Sequence, residues 1–411
     1  MNILILSHRV PFPPNKGEKI RTFHQLKYLR EQGHQISLAA PFEEDDELDY
    51  FAQLEKEYCS RVLSHKLAHK LIRLPIALFT GKALSVTNFY NRKLQKSIDS
   101  LISTNQFDAI LCTASSMAEY IFKSKAIQQL AVKPKLLMDF MDLDSDKWQQ
   151  YADRAKFPMT WVYQRETKLI AKFEQQIAQK FDACFFITES EKALFSKTVS
   201  QSDNVYAVEN GIDTDMFKPA NNNQTAQHPI ILFTGVMDYA PNVDAVLWFV
   251  ENVWSQVLAK WPQATFYVAG MSPSDKINAL SSVQGVVVTG FVDDIMPYFD
   301  QATVFVGPFR IARGVQNKVL QAFACGLPVI ATSMGAEGIR CADNESILLA
   351  HTPEEFLEQL IKLTEDNELR QKISNNALDN IHKFYAWDSV LKPFNQVLEQ
   401  QTSKDLGRAE S

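Results

Sequence analysis

The chain has 411 residues, 46% of them hydrophobic and 22% charged, with a net charge of −6, which calls for two or three domains of ordinary globular composition. With 14 glycines and 17 prolines it is neither collagen-like nor low-complexity, and five scattered cysteines without a Cys-x-x-Cys pair exclude a disulfide scaffold and suit a reducing, cytoplasmic setting. Residues 1–206 carry 28 Lys and Arg against 24 Asp and Glu, whereas residues 207–411 carry 14 against 24; a basic half and an acidic half suggest two domains with different partners, and the acidic whole argues against a general nucleic-acid binder.

Asn2-Ile3-Leu4-Ile5-Leu6 is an apolar run that Ser7-His8-Arg9 interrupts. It is too short for a membrane span or a signal-peptide core, and it predicts a first buried strand. A Pro-rich loop from Pro11 to Gly17 leads into a helix over about Glu18–Gln32, closed by Gly33, and a strand over Ile36–Ala40. This βαβ start implies a parallel sheet. Residues Arg61 to Ile98 hold eight Lys and Arg and no acid, with Leu63, Leu67, Leu71 and Leu74 at helical spacing beside Lys66, Lys70 and Arg73. The segment reads either as a surface helix meeting anionic lipid or as a domain helix whose leucines pack on the sheet. Further strands are predicted at Ala109–Thr113, Lys135–Phe140 and Ala183–Thr188, with a helix over Thr160–Lys180.

Asn210 to Pro229 is rich in Asn, Asp, Gln, Thr and Pro and reads as a linker. The pattern then restarts: a strand over Pro229–Gly235, a helix over about Val243–Leu258, strands at Thr265–Ala269, Gly285–Thr289, Thr303–Gly307, Pro328–Ala331 and Ser346–Leu349, and helices over Val315–Cys325 and Pro353–Thr364. The expected division is a first domain over 1–205, a second over 206–385, a helix over 386–402 able to pack back on the first, and a disordered tail over 403–411. Both domains are expected to be doubly wound α/β sheets, which bind ligands beyond the carboxyl ends of their strands.

The most informative stretch runs from Gly307 to Val329. A buried strand ends in a glycine-containing loop that opens a helix, whose free N–H groups form an anion site, and Arg310, Arg313 and Lys318 add positive charge in an acidic half. A diphosphate fits there; so does a plain strand–helix turn with solvated basic side chains. The cluster Asp139, Asp142, Asp144 and Asp146 invites a metal reading, since Asp142, Asp144 and Asp146 resemble the start of a Ca²⁺ loop, but Lys147 stands where glycine is needed and Asp153 where glutamate is usual. The preferred reading is a cleft loop after a strand, with Asp142 facing the donor sugar or the acceptor. His8, His24, His34 and Cys325 read as structural.

Asn210-Gly211-Ile212-Asp213 with Phe217 and Pro219, the Gly307–Val329 stretch, and its exit Ala324-Cys325-Gly326-Leu327-Pro328-Val329 resemble the signatures of the family-4 retaining glycosyltransferases. Lys16-Gly17-Glu18-Lys19-Ile20-Arg21 and Asp142-Leu143-Asp144-Ser145-Asp146-Lys147-Trp148 resemble a narrower subgroup, the sugar transferases accompanying exosortase-linked exopolysaccharide systems. The resemblance covers roughly residues 1–400. It implies the GT-B architecture, two Rossmann-like doubly wound domains facing across a cleft, and a metal-independent transfer of a hexose-type sugar from a nucleotide-diphosphate donor to a glycan or lipid-linked acceptor. The donor is a substrate and no cofactor is implied. Retention would follow from the leaving diphosphate assisting the acceptor hydroxyl on the same face. Carried over by position, Asp142, Arg313 and Lys318 are the expected catalytic residues, and Gly17, Gly235, Asn242, Val292, Gly314, Val315, Asn317 and Gln321 the nucleotide-sugar contacts. The expected location is the cytoplasm, at the inner membrane face if Arg61–Ile98 meets anionic lipid.

The chain departs from the family at instructive places. Two glutamates eight positions apart usually hydrogen-bond the donor; their places are taken by Arg313 and Gln321. Gln321 still accepts and donates to a ribose diol, whereas Arg313 is donor-only and suits a diphosphate. The basic pair usual after the first strand of the second domain is absent from Gly235–Asn242. These changes keep two alternatives open, a non-catalytic GT-B subunit and a nucleotide-sugar epimerase of the same architecture.

Overall fold

The computed structural model describes residues 1–15, 17–69, 73, 81–199, 203–220, 228–312 and 314–400. The chain forms two α/β units, Met1–Asn210 together with the segment from Val390, and Gly211–Ser389. The predicted tail 403–411 lies outside the described residues.

The first unit holds strands β1 (Asn2–Ser7), β2 (Gln35–Phe42), β3 (Arg61–Lys66), β4 (Ala109–Thr113), β5 (Lys135–Met141), β6 (Ala183–Phe186) and β7 (Val205–Ala207). They form one parallel sheet in the order β3-β2-β1-β4-β5-β6-β7. Ile3 to Leu6 are fully buried, as expected of a central parallel strand covered on both faces. β7 pairs with β6 from Cys184–Val205 to Phe186–Ala207, so this unit continues past the boundary at 205 drawn from composition. The Lys392–Glu399 helix also belongs to it: the Lys135 ammonium reaches the Gln400 carbonyl at 2.8 Å, and Phe394 lies 4.9 Å from Phe185 between ring centres.

Both readings of Arg61–Ile98 expect a helix through Leu63, and the fold corrects that start. Arg61–Lys66 is an edge strand, with Leu63 packed toward the core. Lys66 pairs with Asp45 at 2.9 Å, buried Arg73 pairs with Glu43 at 2.8 Å, and Lys82 pairs with Glu119. The segment has no acid of its own, but its partners come from elsewhere in the chain. Lys70, Leu71 and Leu74 lie outside the described residues.

Arg21, on the Gly17–Glu31 helix, is fully buried and organises the exit from this unit. Its Nε donates to Asp139 at 2.7 Å, and its Nη1 donates to the carbonyls of Val208 and Glu209 and to Asn210 Oδ1 at 2.9, 3.1 and 3.1 Å. Such a pair costs desolvation, which the several hydrogen bonds offset.

The second unit holds β8 (Ile230–Thr234), β9 (Thr265–Ala269), β10 (Val286–Gly290), β11 (Val304–Gly307), β12 (Val329–Ala331) and β13 (Leu348–Leu349). All pair in parallel, in the order β10-β9-β8-β11-β12-β13. β8 feeds both faces by alternation. Ile231 and Phe233 join the core of the Ala240–Phe249 and Pro353–Glu365 helices, whereas Leu232 joins that of the Asn317–Ala324 helix.

The stretch from Asn210 read as linker is packed at its start. Ile212 donates its N–H to the Tyr385 carbonyl at 2.7 Å, and Phe217 stacks edge-on to Phe299 at 5.7 Å. A Cβ on Gly211 would stand 2.6 Å from the Trp387 ring, and one on Gly326, which has φ +69°, 3.3 Å from Pro219. The Asn-Gly-Ile-Asp signature and the helix exit therefore touch through Pro219. Composition missed this because a few buried anchors are enough to fix a polar stretch. Residues 221–227 lie outside the described residues.

Candidate functional site

β8 and β9 are each followed directly by a glycine, Gly235 and Gly270, and these glycines meet. A Cβ on Gly270 would fall 1.8 Å from the Gly235 carbonyl oxygen; one on Gly235 would fall 2.6 Å from Asn242 Nδ2 and 3.1 Å from Lys318 Nζ. Glycine here lets two strand ends, an amide and an ammonium meet at one point. Beyond them, past the carboxyl ends of β8, β9 and β10, opens a cavity of about 860 Å³.

Its polar wall is built from two helix starts. The Ala240–Phe249 helix begins at Tyr239 and the Asn317–Ala324 helix at Gln316, and neither first turn is capped by a side chain. Pro241 supplies no N–H, and the Asn242 N–H is bonded to the Tyr239 carbonyl at 2.9 Å, so the Asn317–Ala324 start is the better anion site. Asn242 joins the two helices: its Nδ2 donates to the Val236 carbonyl at 2.9 Å, and its Oδ1 accepts from Lys318 Nζ at 2.5 Å. The Lys318 ammonium also lies 5.1 and 5.0 Å from the ring centres of Phe233 and Phe309. Burial lowers its pKa to about 8, so it stays mostly charged at neutral pH. Among the described lining residues Lys318 is the one cation and Asp238 the one acid.

The cavity also has exposed apolar lining. Val236, Tyr239, Met271 and Phe291 line the cavity while remaining 43%, 61%, 46% and 67% exposed. A charged end beside flat apolar surface matches an anionic group joined to an aromatic ring.

Of the residues expected from the sequence, Gly235, Asn242, Val292, Asn317, Lys318 and Gln321 come together around this cavity. Gly314 and Val315 are outside its lining: Gly314 turns the chain at φ +67°, and the Val315 side chain lies against Gly338. Arg313 lies outside the described residues. Arg310, counted with the positive charge, is held by Asp244 through two hydrogen bonds at 3.0 and 2.5 Å. Thr234, Asp238, Tyr239, Gly270, Met271 and Phe291 line the cavity without having been singled out. Each lies at or just after the end of β8, β9 or β10, so taking the residues following every predicted strand would have found them.

Asp142 and Gly17 belong to the first unit. Asp142 follows Met141, which holds φ +65° at the end of β5, and its exposed carboxylate lies 3.5 Å from Lys147. The four aspartates serve separate partners: Asp139 binds Arg21, Asp142 Lys147, Asp144 Ser115 and Asp146 Gln150. Among the described residues no three His, Cys, Asp or Glu side chains gather as a metal-ligand set. Ser115 donates to Asp144 at 2.6 Å, and burial raises the Asp144 pKa. Glu174 accepts the Ser145 N–H at 3.1 Å, and burial pushes its carboxyl up to about 8. His8, edge-on to Phe89 at 5.3 Å, is held neutral, its pKa lowered by burial to about 4.

Residues 228–366 match the family model of the group 1 glycosyl transferases. A Klebsiella pneumoniae protein, described as an uncharacterized 44.6 kDa protein in the cps region, is 21% identical over 406 residues, covering 97% of this chain and 99% of its own. An uncharacterized glycosyltransferase of Methanocaldococcus jannaschii is 28% identical over 120 residues, 28% of this chain and 31% of its own. Among solved structures, TarM superposes with a TM-score of 0.61 at 11% identity, and Anabaena HepE in complex with UDP with 0.60 at 14%, each over 97% of this chain and 99% of the other. The fold is GT-B, and residues 228–366 are similar to the group 1 glycosyl transferases.

Proposed function

We propose that this chain transfers a sugar from a nucleotide-diphosphate donor to a glycan or lipid-linked acceptor, with retention, in the synthesis of an exopolysaccharide or surface glycan. The cavity of the second unit carries the reading: an ammonium and the uncapped start of the Asn317–Ala324 helix lie beside exposed aromatic and aliphatic surface. The diphosphate would lie against Lys318 and the N–H groups of that start, the base against the apolar lining, and the ribose within reach of Gln321. As the sugar–phosphate bond breaks, negative charge builds on the leaving diphosphate, and preformed N–H dipoles and Lys318 stabilise it without reorganising. In this reading those groups, rather than a metal ion, meet the leaving group's charge. The acceptor hydroxyl attacks from the same face and passes its proton to a leaving phosphate oxygen, so no protein nucleophile is required. The first unit would hold the acceptor, with Asp142 toward the sugar. The role in glycan synthesis rests on the relative in the Klebsiella pneumoniae cps region and on the resemblance of the first unit's motifs.

A thermal-shift screen of nucleoside diphosphates and their sugars tests the reading. A ligand at about 100 times its dissociation constant stabilises by roughly 2.7 kcal/mol. Turnover with a glycan acceptor, undiminished by a chelator, is the expected result. Binding without turnover would favour the subunit alternative, and a new nucleotide sugar formed without acceptor would favour the epimerase.

A further inference from the structure

The first unit carries an exposed apolar tip that neither the sheet nor the donor cavity uses. The Asp144–Arg154 and Met159–Lys180 helices form a hairpin joined by Ala155-Lys156-Phe157-Pro158. The second helix leads directly into β6 and so runs antiparallel to the strands. Its buried residues begin only at Glu166, so none of its first seven residues, roughly 10 Å of helix, is buried. The tip therefore projects on the side of the carboxyl ends of the strands, the side on which a parallel α/β sheet binds ligands.

The tip is held in shape from within. Trp148 lies 5.8 Å from Tyr151 and 5.4 Å from Tyr163, and Tyr151 lies 6.0 Å from Tyr163 between ring centres. Thr160 Oγ1 donates to the Ala155 carbonyl at 2.6 Å, and the Trp161 N–H donates to the Pro158 carbonyl at 3.2 Å. With these rings packed together, Phe157, Met159 and Trp161 still stand 86%, 43% and 61% exposed. Arg154 and Lys156 flank them, both exposed and neither in an ion pair among the described residues. Asp153, the neighbouring acid, is engaged by Gln149 at 2.7 Å.

We propose that this tip is a membrane-docking device that inserts Phe157, Met159 and Trp161 into the interface of an anionic bilayer, with Arg154 and Lys156 at the headgroups. Two features favour a bilayer over a protein. The apolar side chains sit at and beside the hairpin connection and together offer on the order of 400 Å², about half of what one partner contributes to a standard protein interface. Trp and Phe beside Lys and Arg also match the layered polarity of a membrane surface. The inference moves the membrane contact away from Arg61–Ile98, where Lys66, Arg73 and Lys82 are paired with Asp45, Glu43 and Glu119, and does not depend on the donor reading.

The test is co-sedimentation of the full chain with phosphatidylglycerol-containing and pure phosphatidylcholine vesicles. The wild type should bind the anionic vesicles more strongly, and the difference should shrink at high salt. A triple variant, Phe157→Ser, Met159→Ser and Trp161→Ser, should partition on the order of 100-fold more weakly, with unchanged melting because these side chains are outside the core. Arg154→Glu with Lys156→Glu should remove the preference for anionic lipid. Brominated lipid should quench the wild type more than Trp161→Phe. Failure of the wild type to bind anionic vesicles, or equal binding by the triple variant, overturns the proposal. A dimer that the triple variant converts to monomer, without vesicle binding, would assign the tip to a contact between copies and also overturn it.

Discussion

Replacing Lys318 by alanine removes the one described cation that lines the cavity of the second unit. If that ammonium meets the donor diphosphate, the loss of a charge-assisted hydrogen bond costs about 1.5–3 kcal/mol, or roughly 10- to 150-fold in dissociation constant. The fold should survive, because the polar anchor of the side chain is a single hydrogen bond to Asn242, which keeps its own bond to Val236. Titration calorimetry with the nucleoside diphosphate that binds the wild type measures the loss. Proton linkage gives a second reading. Burial holds the free lysine near 8, and an adjacent phosphate raises that value by favouring the charged form. Binding then takes up a proton between the two values, so affinity is flat below about pH 7 and falls above about 8. Lys318→Arg, charged throughout, should bind without that alkaline fall. Unchanged affinity in Lys318→Ala, or the same alkaline fall in Lys318→Arg, would refute the placement of the diphosphate.

Gln321→Glu should bind the donor as well as or better than the wild type, and Gln321→Leu several-fold more weakly; equal binding by all three would reduce Gln321 to helix surface. Glu174→Gln should stabilise the first unit near neutral pH, because the buried carboxyl is held up near 8 against an ordinary value of 4.5. A group whose folded pKa is raised contributes stability that is complete below the unfolded value and is lost as pH rises through the folded one. The wild type should therefore lose up to a few kcal/mol relative to Glu174→Gln between about pH 4.5 and 8, read from melting curves across that range. Parallel curves for the two proteins would show that Glu174 is not held protonated by the fold.

The two parallel sheets and the strands at Ala109–Thr113 and Thr265–Ala269 were legible in the sequence because buried parallel strands are short, unbroken apolar runs between turn residues, a local signal. The same holds for the strand, glycine and helix start around Lys318, which are adjacent in the chain, whereas Gly235 and Asn317 were named only through the family resemblance. What lies far apart in sequence was not legible. Tertiary structure paired Lys66 with Asp45 and Arg73 with Glu43, turning a basic stretch into an edge strand and its flank. It brought Lys318 onto Asn242 and the Gly270 position onto the Gly235 carbonyl, and it engaged Arg310 with Asp244. It also packed Trp148, Tyr151 and Tyr163 together while leaving Phe157 and Trp161 outside. Local propensity and hydrophobic period act over one or two turns of chain, so sequence alone determined most of the buried apolar strands but not the strands Arg61–Lys66 and Val205–Ala207. Charge pairing and exposure depend on which distant segments fold together, and only the packed structure decided them.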